Sequence, residues 1–226
     1  MRILLLGHGR MGQLVESLAA SCDATIAGVI DEHSGEGAIA AGAYGAVDVA
    51  IDFTLADAVV KNLPQLAARK INVVIGTTGW QAQEASMRAI AAKAGIGVLA
   101  ASNFSLGMNV FQLAVEEASR HFANHAEFGA WIHESHHVMK KDAPSGTAIT
   151  LKQGIEQAGY ARPIDMSSTR AGSVPGTHSV GFDGPSETIE FTHTVRDRAV
   201  FAHGALTAAK WLVGRQGWFS IRDLLS

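Results

Sequence analysis

The sequence has very little of what marks an exported or membrane-bound protein. Its 226 residues include one cysteine, Cys22, which cannot form an internal disulfide. The sequence contains no run of about 18 apolar residues that could cross a bilayer. The apolar run at residues 3–6 ends at Gly7 and Gly9, far too early for a signal peptide. These absences predict a cytoplasmic protein without a membrane partner.

Charge of either sign is also scarce. The 18 Lys and Arg residues nearly balance the 21 Asp and Glu residues, which leaves a net charge of −3. Without an excess of basic residues we expect no nucleic-acid partner. A hydrophobic content of 47% excludes a disordered chain. The length suffices for one large domain or two small ones with a substantial core, and we expect two.

Glycine is abundant, and its first cluster forms a motif. Residues 3–6 read as a buried strand, Gly7-His8-Gly9-Arg10-Met11-Gly12 follows directly, and residues 13–20 have helical apolar spacing. In this G-x-G-x-x-G pattern the first glycine permits a tight turn, the second lets a pyrophosphate approach the backbone, and the third lets helix and strand pack closely. The motif predicts a dinucleotide-binding turn.

An acidic residue supports this interpretation. A second apolar run, residues 24–30, ends in Asp31, about 20 residues after the glycines, where an acid binds the ribose hydroxyls of NAD. Asp31 and Glu32 would repel the 2′-phosphate of NADPH, and no arginine follows closely. The residues therefore favour NADH slightly, although His33 could still reach a phosphate, and both coenzymes stay open.

Strands and helices continue to alternate through the first hundred residues. Strands are predicted at residues 47–53, 73–75 and 96–100, with helices at residues 56–69 and 81–94. This order predicts a Rossmann-type, doubly wound parallel sheet whose ligands bind at the carboxyl ends of the strands. Two polar turns occupy such ends, Gly76-Thr77-Thr78 and Ser102-Asn103-Phe104. We expect Pro64 to kink or divide its helix, and we expect only a short connection over residues 32–46.

The second half of the chain has a different pattern of residue types. A helix over residues 106–123 and an extended segment over 127–133 precede a helix over 148–158. Residues 163–202 alternate in polarity, at Ile189, Phe191, Val195 and Val200, and predict an antiparallel or mixed sheet. A helix over 205–213 and a tail over 217–225 are expected to return to the first domain. We therefore predict a dinucleotide-binding domain at residues 1–104 plus 204–226, and an α+β domain for substrate binding and oligomerisation at residues 105–203.

Residues 134–147 combine positive charge with a helix start. Two histidines, His136 and His137, and two lysines, Lys140 and Lys141, precede Ser145-Gly146-Thr147, where a helix is expected to begin. Unpaired N–H groups and the positive end of the helix dipole favour an anion there. The segment predicts a binding site for a carboxylate.

The same segment contains a competing motif. His133-Glu134-Ser135-His136-His137 matches H-E-x-x-H, in which two histidines on one helix face bind Zn²⁺ and the glutamate activates water. Glu156 would be the third ligand. The preceding residues 128–132 read as a strand, however, and Asp142-Ala143-Pro144 would stop a helix soon afterwards. We therefore predict no metal.

Taken together, these residues resemble the 4-hydroxy-tetrahydrodipicolinate reductase family, formerly called dihydrodipicolinate reductase, of the bacterial and plant lysine pathway. The resemblance covers nearly the whole chain and rests on five motifs: Gly7 to Gly12, Asp52-Phe53-Thr54, Gly76-Thr77-Thr78-Gly79, Ser102-Asn103-Phe104-Ser105, and Glu134-Ser135-His136-His137 with Lys140 to Ala148. The fifth is highly specific.

The resemblance implies a reaction and roles for individual residues. It implies hydride transfer from NADH or NADPH to a cyclic imine dicarboxylate, giving tetrahydrodipicolinate for diaminopimelate and lysine biosynthesis, in a cytoplasmic homotetramer. His136 matches a proton donor or acceptor and Lys140 a proton donor, while His137, Gly146 and Thr147 match substrate-binding positions. Lys141 and Ser145 are our own additions to the carboxylate site. The implied cofactor-binding residues are Gly7, His8, Gly9, Arg10, Met11, Gly12, Asp31, Gly76, Thr77, Thr78, Ala101, Ser102, Asn103 and Phe104.

Two departures and two alternatives stay open. Relative to longer members of the family, the glycine loop is one residue shorter and the segment between Asp31 and Val47 is strongly cut back. That segment flanks the adenosine ribose, so coenzyme preference is in question. One alternative is a nucleotide-sensing regulator with the same fold and no chemistry. The other is a related reductase of another anionic imine or carbonyl, such as an aspartate dehydrogenase.

Overall fold

The computed structural model describes residues 1–35 and 37–226 and divides the chain into two compact units. Unit 1 comprises Met1–Leu106 and Ala199–Ser226, and unit 2 comprises Gly107–Arg198. In chain order the elements are β1 (Arg2–Leu6), α1 (Arg10–Ala19), β2 (Thr25–Ile30), α2 (Ala38–Ala41), β3 (Val49–Asp52), α3 (Ala56–Ala68), β4 (Asn72–Ile75), α4 (Glu84–Ala94), β5 (Gly97–Ala100), α5 (Leu106–Phe122), β6 (Gly129–His136), α6 (Gly146–Gln157), β7 (Ile164–Arg170), β8 (Thr177–Asp183), β9 (Thr188–Thr194), α7 (Ala199–Leu212), β10 (Gly217–Phe219) and α8 (Ile221–Leu225).

Unit 1 is built on a parallel sheet of six strands in the order β10-β5-β4-β3-β1-β2. Alternate residues of β1 face opposite sides, as a strand requires. Ile3 and Leu5 pack with residues of α1 and α7, whereas Leu4 and Leu6 pack with residues of α3 and α4. Helices therefore cover both faces, and the predicted doubly wound sheet is confirmed. Among its described residues, the short connection after β2 contains one helix, α2, which is a single turn.

Unit 1 differs from the sequence predictions at Pro64 and adds detail at the C-terminal tail. Pro64 does not divide its helix, because α3 is continuous from Ala56 to Ala68. Burial of Leu63 and Leu66 on the sheet offsets the roughly 3 kcal/mol that an interior proline costs. The C-terminal tail is also more than a tail, since β10 pairs in parallel with β5 and completes the sheet.

The start of α7 was predicted too late. Val200 was assigned to a strand, but it lies in α7, which begins at Ala199. Gly204 lies outside the helix predicted over residues 205–213, whereas in the structure it lies inside α7. A Cβ atom at this position would collide with the backbone carbonyl of Phe104. Gly204 therefore permits close packing and does not mark a boundary.

Unit 2 is a mixed sheet covered by two helices. The strand order is β7-β6-β8-β9, in which β6 and β7 are parallel and the other pairs antiparallel. Apolar residues of α5 and α6 pack on one face of this sheet. The predicted mixed sheet is confirmed, with strands at residues 164–170, 177–183 and 188–194. Within residues 1–35 and 37–226, no helix is long and apolar enough to span a bilayer.

Candidate functional site

One face of the unit 2 sheet changes from apolar to polar along β6. Ala130 and Ile132 point into the apolar core beneath α5 and α6. The next two residues on that face are Glu134 and His136, which are 0% and 8% exposed. A buried acid and a buried imidazole therefore close the end of a hydrophobic core.

The register of the sheet brings further polar side chains to this end. Glu134 is the partner of Ser168 on β7 and of His178 on β8, and His136 is the partner of Arg170. We call the following residues the polar cluster: Glu134, His136, Ser145, Arg170 and His178. Because paired residues of neighbouring strands lie on the same face, the strand register itself assembles most of this cluster.

Glu134 is the hub of the polar cluster. Its two carboxylate oxygens accept hydrogen bonds from Arg170, Nη2 to Oε1 at 2.7 Å and Nη1 to Oε2 at 3.0 Å. The backbone N–H of Ser145 also donates to Oε1, at 3.3 Å. Burial by itself would raise the pKa of Glu134, but hydrogen bonds from Arg170, Ser168 and His136 outweigh it and lower that pKa to about 2. Glu134 is therefore an anion at neutral pH.

The ionised carboxylate fixes the orientation and tautomer of His136. A carboxylate can only accept, so Nδ1 of His136 donates its proton to Oε2 of Glu134. Burial lowers the pKa of His136, and this effect exceeds the opposite effect of Glu134. The neutral ring then presents Nε2 as an acceptor. A Cβ atom added at Gly176, where φ is +154°, would lie 3.1 Å from Nε2, so glycine at this position avoids a tight contact with the ring.

His178 and Ser145 form the other side of the polar cluster. The rings of His136 and His178 meet edge to face, with centroids 5.1 Å apart. Nε2 of His178 lies 3.1 Å from Oγ of Ser145, which also accepts a hydrogen bond from the N–H of Ala148. Burial lowers the pKa of His178 to about 4, helped by the nearby imidazole of His136. His178 is therefore neutral at pH 7.

Ser145 begins α6, and this helix start has the form that was predicted. Ser145 is the N-cap residue, so its buried hydroxyl positions the helix and is not free to bind a ligand. The N–H groups of Gly146 and Thr147 belong to the first turn and have no partner within the helix. The N–H of Gly146 faces the carboxylate of Asp142, and its hydrogen bond helps to lower the pKa of that acid. No atom lies within 4 Å of the position that a Cβ of Gly146 would take. This open, positive helix end suits a carboxylate.

The two lysines differ in their surroundings. Nζ of Lys140 lies 2.8 Å from both carboxylate oxygens of Asp142, and its side chain is 23% exposed. This ion pair, with Lys140 as its main partner, lowers the pKa of Asp142. Lys141 is exposed to solvent. The structure thus holds the ammonium of Lys140 in place, whereas Lys141 contributes a solvated charge.

His137 follows β6 and contacts an arginine that the sequence reasoning missed. Nη2 of Arg198 lies 3.4 Å from Nε2 of His137. Arginine only donates, so the imidazole nitrogen is the acceptor in this contact. Arg198 thus places a cation beside His137.

The metal-binding alternative requires a helix, and the structure has a strand. His133 and His137 are separated by four residues of extended chain, about 13 Å, instead of one helical turn. His133 instead contacts the hydroxyls of Ser167 and Ser135. Within the part of the chain that the structure describes, one group of metal-ligating side chains comes together, Glu134 with His136 and His178. The guanidinium of Arg170 already bonds both oxygens of Glu134, which disfavours a second cation, and the absence of a metal stays a prediction.

The glycine motif of unit 1 forms an open turn at the carboxyl end of β1. Gly7 has φ +86°, which glycine adopts without strain, and Gly9 is the N-cap residue of α1 without a side-chain cap. No atom lies within 4 Å of a Cβ placed on Gly9, whereas one on Gly12 would collide with the carbonyl of Gly7. The tight turn predicted at Gly7 and the close packing predicted at Gly12 agree with these contacts, and the approach of a pyrophosphate to Gly9 stays a prediction. Arg10, Met11 and Gly12 form the first turn of the helix, whose N–H groups are free to bind a diphosphate.

Asp31 and His8 flank this turn. Oδ1 of Asp31 accepts hydrogen bonds from the N–H of His33 and the hydroxyl of Ser34, both at 3.0 Å. These bonds, led by that of His33, lower the pKa of Asp31 and keep it ionised. Both hydrogen bonds use Oδ1, so Oδ2 of Asp31 takes no part in them. The ring of His8 bonds the carboxylate of Glu16 at 2.7 Å, and this holds it on the side of α1.

A buried acid organises the next two strand ends. Asp52, at the end of β3, is 1% exposed and accepts hydrogen bonds from Thr54 and Asn62, with Thr77 at 3.4 Å. Burial raises the pKa of Asp52, against the effect of these donors. Gly76 lies against the ring of Phe53, where a Cβ would collide. The turn after β4, including exposed Thr78, is thus tied to the end of β3.

The turn after β5 presents a mixture of buried and open residues. Phe104 is 2% exposed and packs edge to face on Phe53, so it supports the turn from below. Oδ1 of Asn103 accepts a hydrogen bond from the N–H of Ser105. Ser102 is exposed and Ala101 half-buried, and both line a surface pocket of about 400 Å³ with Thr77. Contact of this turn with a cofactor stays a prediction.

Comparison with known proteins identifies the family of the chain. The N-terminal domain model of dihydrodipicolinate reductase matches residues 1–104, and the C-terminal domain model matches residues 107–225. The 4-hydroxy-tetrahydrodipicolinate reductase of Christiangramia forsetii is 38% identical over 237 residues, covering 100% of this chain and 98% of that protein. The protein of the same name from Stenotrophomonas maltophilia is 40% identical over 240 residues, covering 100% and 98%.

Solved structures give the same fold. A dipicolinate-bound dihydrodipicolinate reductase from Paenisporosarcina sp. TG-14 superposes with a TM-score of 0.83 at 20% identity, covering 97% of each chain. Aspartate dehydrogenase from Thermotoga maritima has a TM-score of 0.51 at 10% identity, covering 94% and 96%. The fold is thus shared with other dehydrogenases. The family models and the sequence identities distinguish this chain from those proteins. The chain belongs to the dihydrodipicolinate reductase family of pyridine-nucleotide-dependent reductases.

Proposed function

We propose that this chain uses NADH or NADPH, with NADH slightly favoured, to reduce the cyclic imine dicarboxylate derived from 4-hydroxy-tetrahydrodipicolinate. The product would be tetrahydrodipicolinate. The observation that carries this proposal is the open helix start at Gly146 and Thr147, on the same segment as Lys140 and hydrogen-bonded through Ser145 to the acid that orients His136. We assign dinucleotide binding to unit 1, and substrate binding and oligomerisation to unit 2.

Unit 1 provides groups that fit a dinucleotide. The open space above Gly9 and the uncapped first turn of α1 suit a diphosphate, and ionised Asp31 suits ribose hydroxyls. The turns at Gly76 to Thr78 and Ala101 to Phe104 lie at the carboxyl ends of β4 and β5, where such sheets bind ligands. When bound, the reduced nicotinamide supplies the hydride.

Unit 2 binds the two carboxylates and moves the proton. One carboxylate would bind the N–H groups of Gly146 and Thr147, and the cationic side chains of Lys141 and Arg198 with His137 would favour the second. Hydride addition to an imine must be completed by one proton. The ammonium of Lys140 is suited to donate it, because His136 already gives its Nδ1 proton to Glu134 and is neutral. His136 would then accept a hydrogen bond and orient the ring.

The direct test is turnover of the proposed substrate. Imine generated from pyruvate and aspartate semialdehyde is mixed with the protein and with NADH or NADPH, and loss of reduced-nicotinamide absorbance is followed. No oxidation at high protein concentration, with either coenzyme still bound, would favour the nucleotide-sensing regulator. Faster oxidation with oxaloacetate and ammonia would favour an aspartate dehydrogenase. Action in the cytoplasm as a homotetramer also stays a prediction.

The coenzyme prediction depends on Asp31. Replacing Asp31 by serine removes a hydrogen bond between a charged group and the ribose and also removes repulsion of a 2′-phosphate. We expect kcat/KM with NADH to fall about tenfold while kcat/KM with NADPH is kept or rises. Steady-state kinetics with both coenzymes measures the change. Asp23→Ser, which removes an exposed acid elsewhere in unit 1, is the control, and an unchanged NADH to NADPH ratio in Asp31→Ser would contradict the assignment.

A further inference from the structure

Arg170 makes several polar contacts with residues of the candidate site, and a role in binding a substrate does not explain them. Its guanidinium bonds both oxygens of Glu134 and donates to the backbone carbonyls of Asp142, at 2.6 Å, and Thr169, at 2.8 Å. Its side chain is only 18% exposed. Arg170 therefore connects the acid that orients His136 to the loop that carries Lys140.

We propose that Arg170 is a positioning residue for the proton transfer. It forms a buried ion pair with Glu134, which keeps His136 neutral with Nδ1–H directed at the carboxylate, and it anchors the Lys140 loop through Asp142. One cation thus controls the orientation of both groups that the proposed mechanism uses. The catalytic part of this inference rests on the proposed function, whereas the effect on His136 does not.

The charges around His136 make the effect predictable. The groups facing the ring are Glu134 on its own strand, Arg170 on β7, His178 on β8, and Lys140 with its partner Asp142 on the following loop. Burial is the largest influence and disfavours protonation of His136, as do the cations Lys140 and Arg170. Glu134 favours protonation through its hydrogen bond and its charge. Removal of Arg170 and removal of Glu134 therefore change the charge facing the ring in opposite directions.

Removing the charge of Arg170 and removing that of Glu134 should shift the titration midpoint of His136 in opposite directions. In Arg170→Met the anion of Glu134 is left uncompensated, and the midpoint of His136 should rise by at least about one pH unit. In Glu134→Gln the amide can still accept from Nδ1, but the anion is gone and the midpoint should fall. The midpoint is read from histidine NMR signals, assigned with His136→Gln, in the absence of coenzyme and substrate.

Turnover gives a second measurement. Arg170→Lys keeps the charge but cannot bond both carboxylate oxygens and the carbonyl of Asp142 together. We expect its His136 midpoint to stay near that of the wild type while kcat falls about tenfold. Arg170→Met should lose more activity than Arg170→Lys. If Arg170→Met does not fold, as judged by circular dichroism, Arg170→Lys and Glu134→Gln still test the two parts separately.

Arg162 provides the matched control in unit 2. Within the described part of the chain its hydrogen bonds go to the backbone carbonyls of Phe122, Ala123 and Phe128, and its guanidinium stacks on the ring of Tyr160. Arg162→Met should reduce stability without moving the midpoint of His136. The proposal is overturned if Arg162→Met and Arg170→Met shift the midpoint equally, or if Arg170→Met leaves both midpoint and turnover unchanged. Absence of turnover in the wild type, with the opposite shifts intact, would contradict the proposed function alone.

Discussion

Replacing Lys140 or His136 by alanine is expected to lower kcat by about a hundredfold or more, the usual effect of losing a general acid or base. Lys140 supplies a cation next to the helix start of α6, and His136 presents Nε2 from a fixed ring. Neither residue belongs to unit 1, so the affinity for NADH should change little. Steady-state turnover and coenzyme binding by fluorescence titration measure the two effects separately.

The control for this prediction removes a lysine that has no place in the site. Lys152 lies in α6, where its side chain is 38% exposed and stands 3.8 Å from Glu156. Lys152→Ala should keep wild-type turnover, which separates loss of a specific donor from loss of one positive charge in unit 2. A Lys140→Ala or His136→Ala enzyme that binds NADH poorly but turns over normally at saturation would show that the assigned roles are wrong.

Local sequence was sufficient for the parts of the site that a short segment builds alone. The turn at Gly7 to Gly12 and the helix start at Ser145 are each made by consecutive residues, and both have the predicted form. The strand character of residues 128–132 also indicated that the H-E-x-x-H motif was extended. In each case the spacing of residue types along the chain contains the whole geometric argument.

The polar cluster could not be predicted in this way. Arg170 lies 36 residues from Glu134 in sequence, and Ser145 lies 33 residues from His178. Their proximity depends on which residues of β6, β7 and β8 pair, and a shift of one residue would move each side chain to the other face. The alternation in residues 163–202 predicts strands but contains no register. Arg198 was missed because it follows the last strand, where no pattern indicates its direction.

Burial also changes roles that residue types suggest. His137 and His136 were both considered as cations, yet His137 accepts from Arg198 and burial keeps His136 neutral. Ser145 was considered a ligand for substrate, yet its hydroxyl caps α6. Positive charge at this site therefore belongs to Lys140, Lys141, Arg198 and the helix end. Burial removes the water that would stabilise a charged imidazole, and the sequence alone does not show which side chains are buried.

The buried imidazole of His178 is expected to make the fold sensitive to acid. Its pKa in the folded chain is about 4, below the ordinary 6.5, so the unfolded chain binds the proton more tightly. The stabilisation is complete above pH 6.5 and is lost as pH falls to about 4. Between pH 7 and about pH 4 the free energy of unfolding should fall about 3 kcal/mol more in the wild type than in His178→Gln.

Urea unfolding at several pH values, followed by circular dichroism, measures this difference. The contribution of Glu134 to the free energy of unfolding is lost as pH falls below 4.5, because its pKa in the folded chain is about 2. Asp52 contributes with the opposite sign, because burial raises its pKa. Both contributions are present in the two proteins and cancel in the comparison. His121→Gln, which removes a histidine whose side chain is 77% exposed, should follow the wild-type curve. Parallel curves for wild type and His178→Gln would show that His178 is not buried neutral in the folded chain.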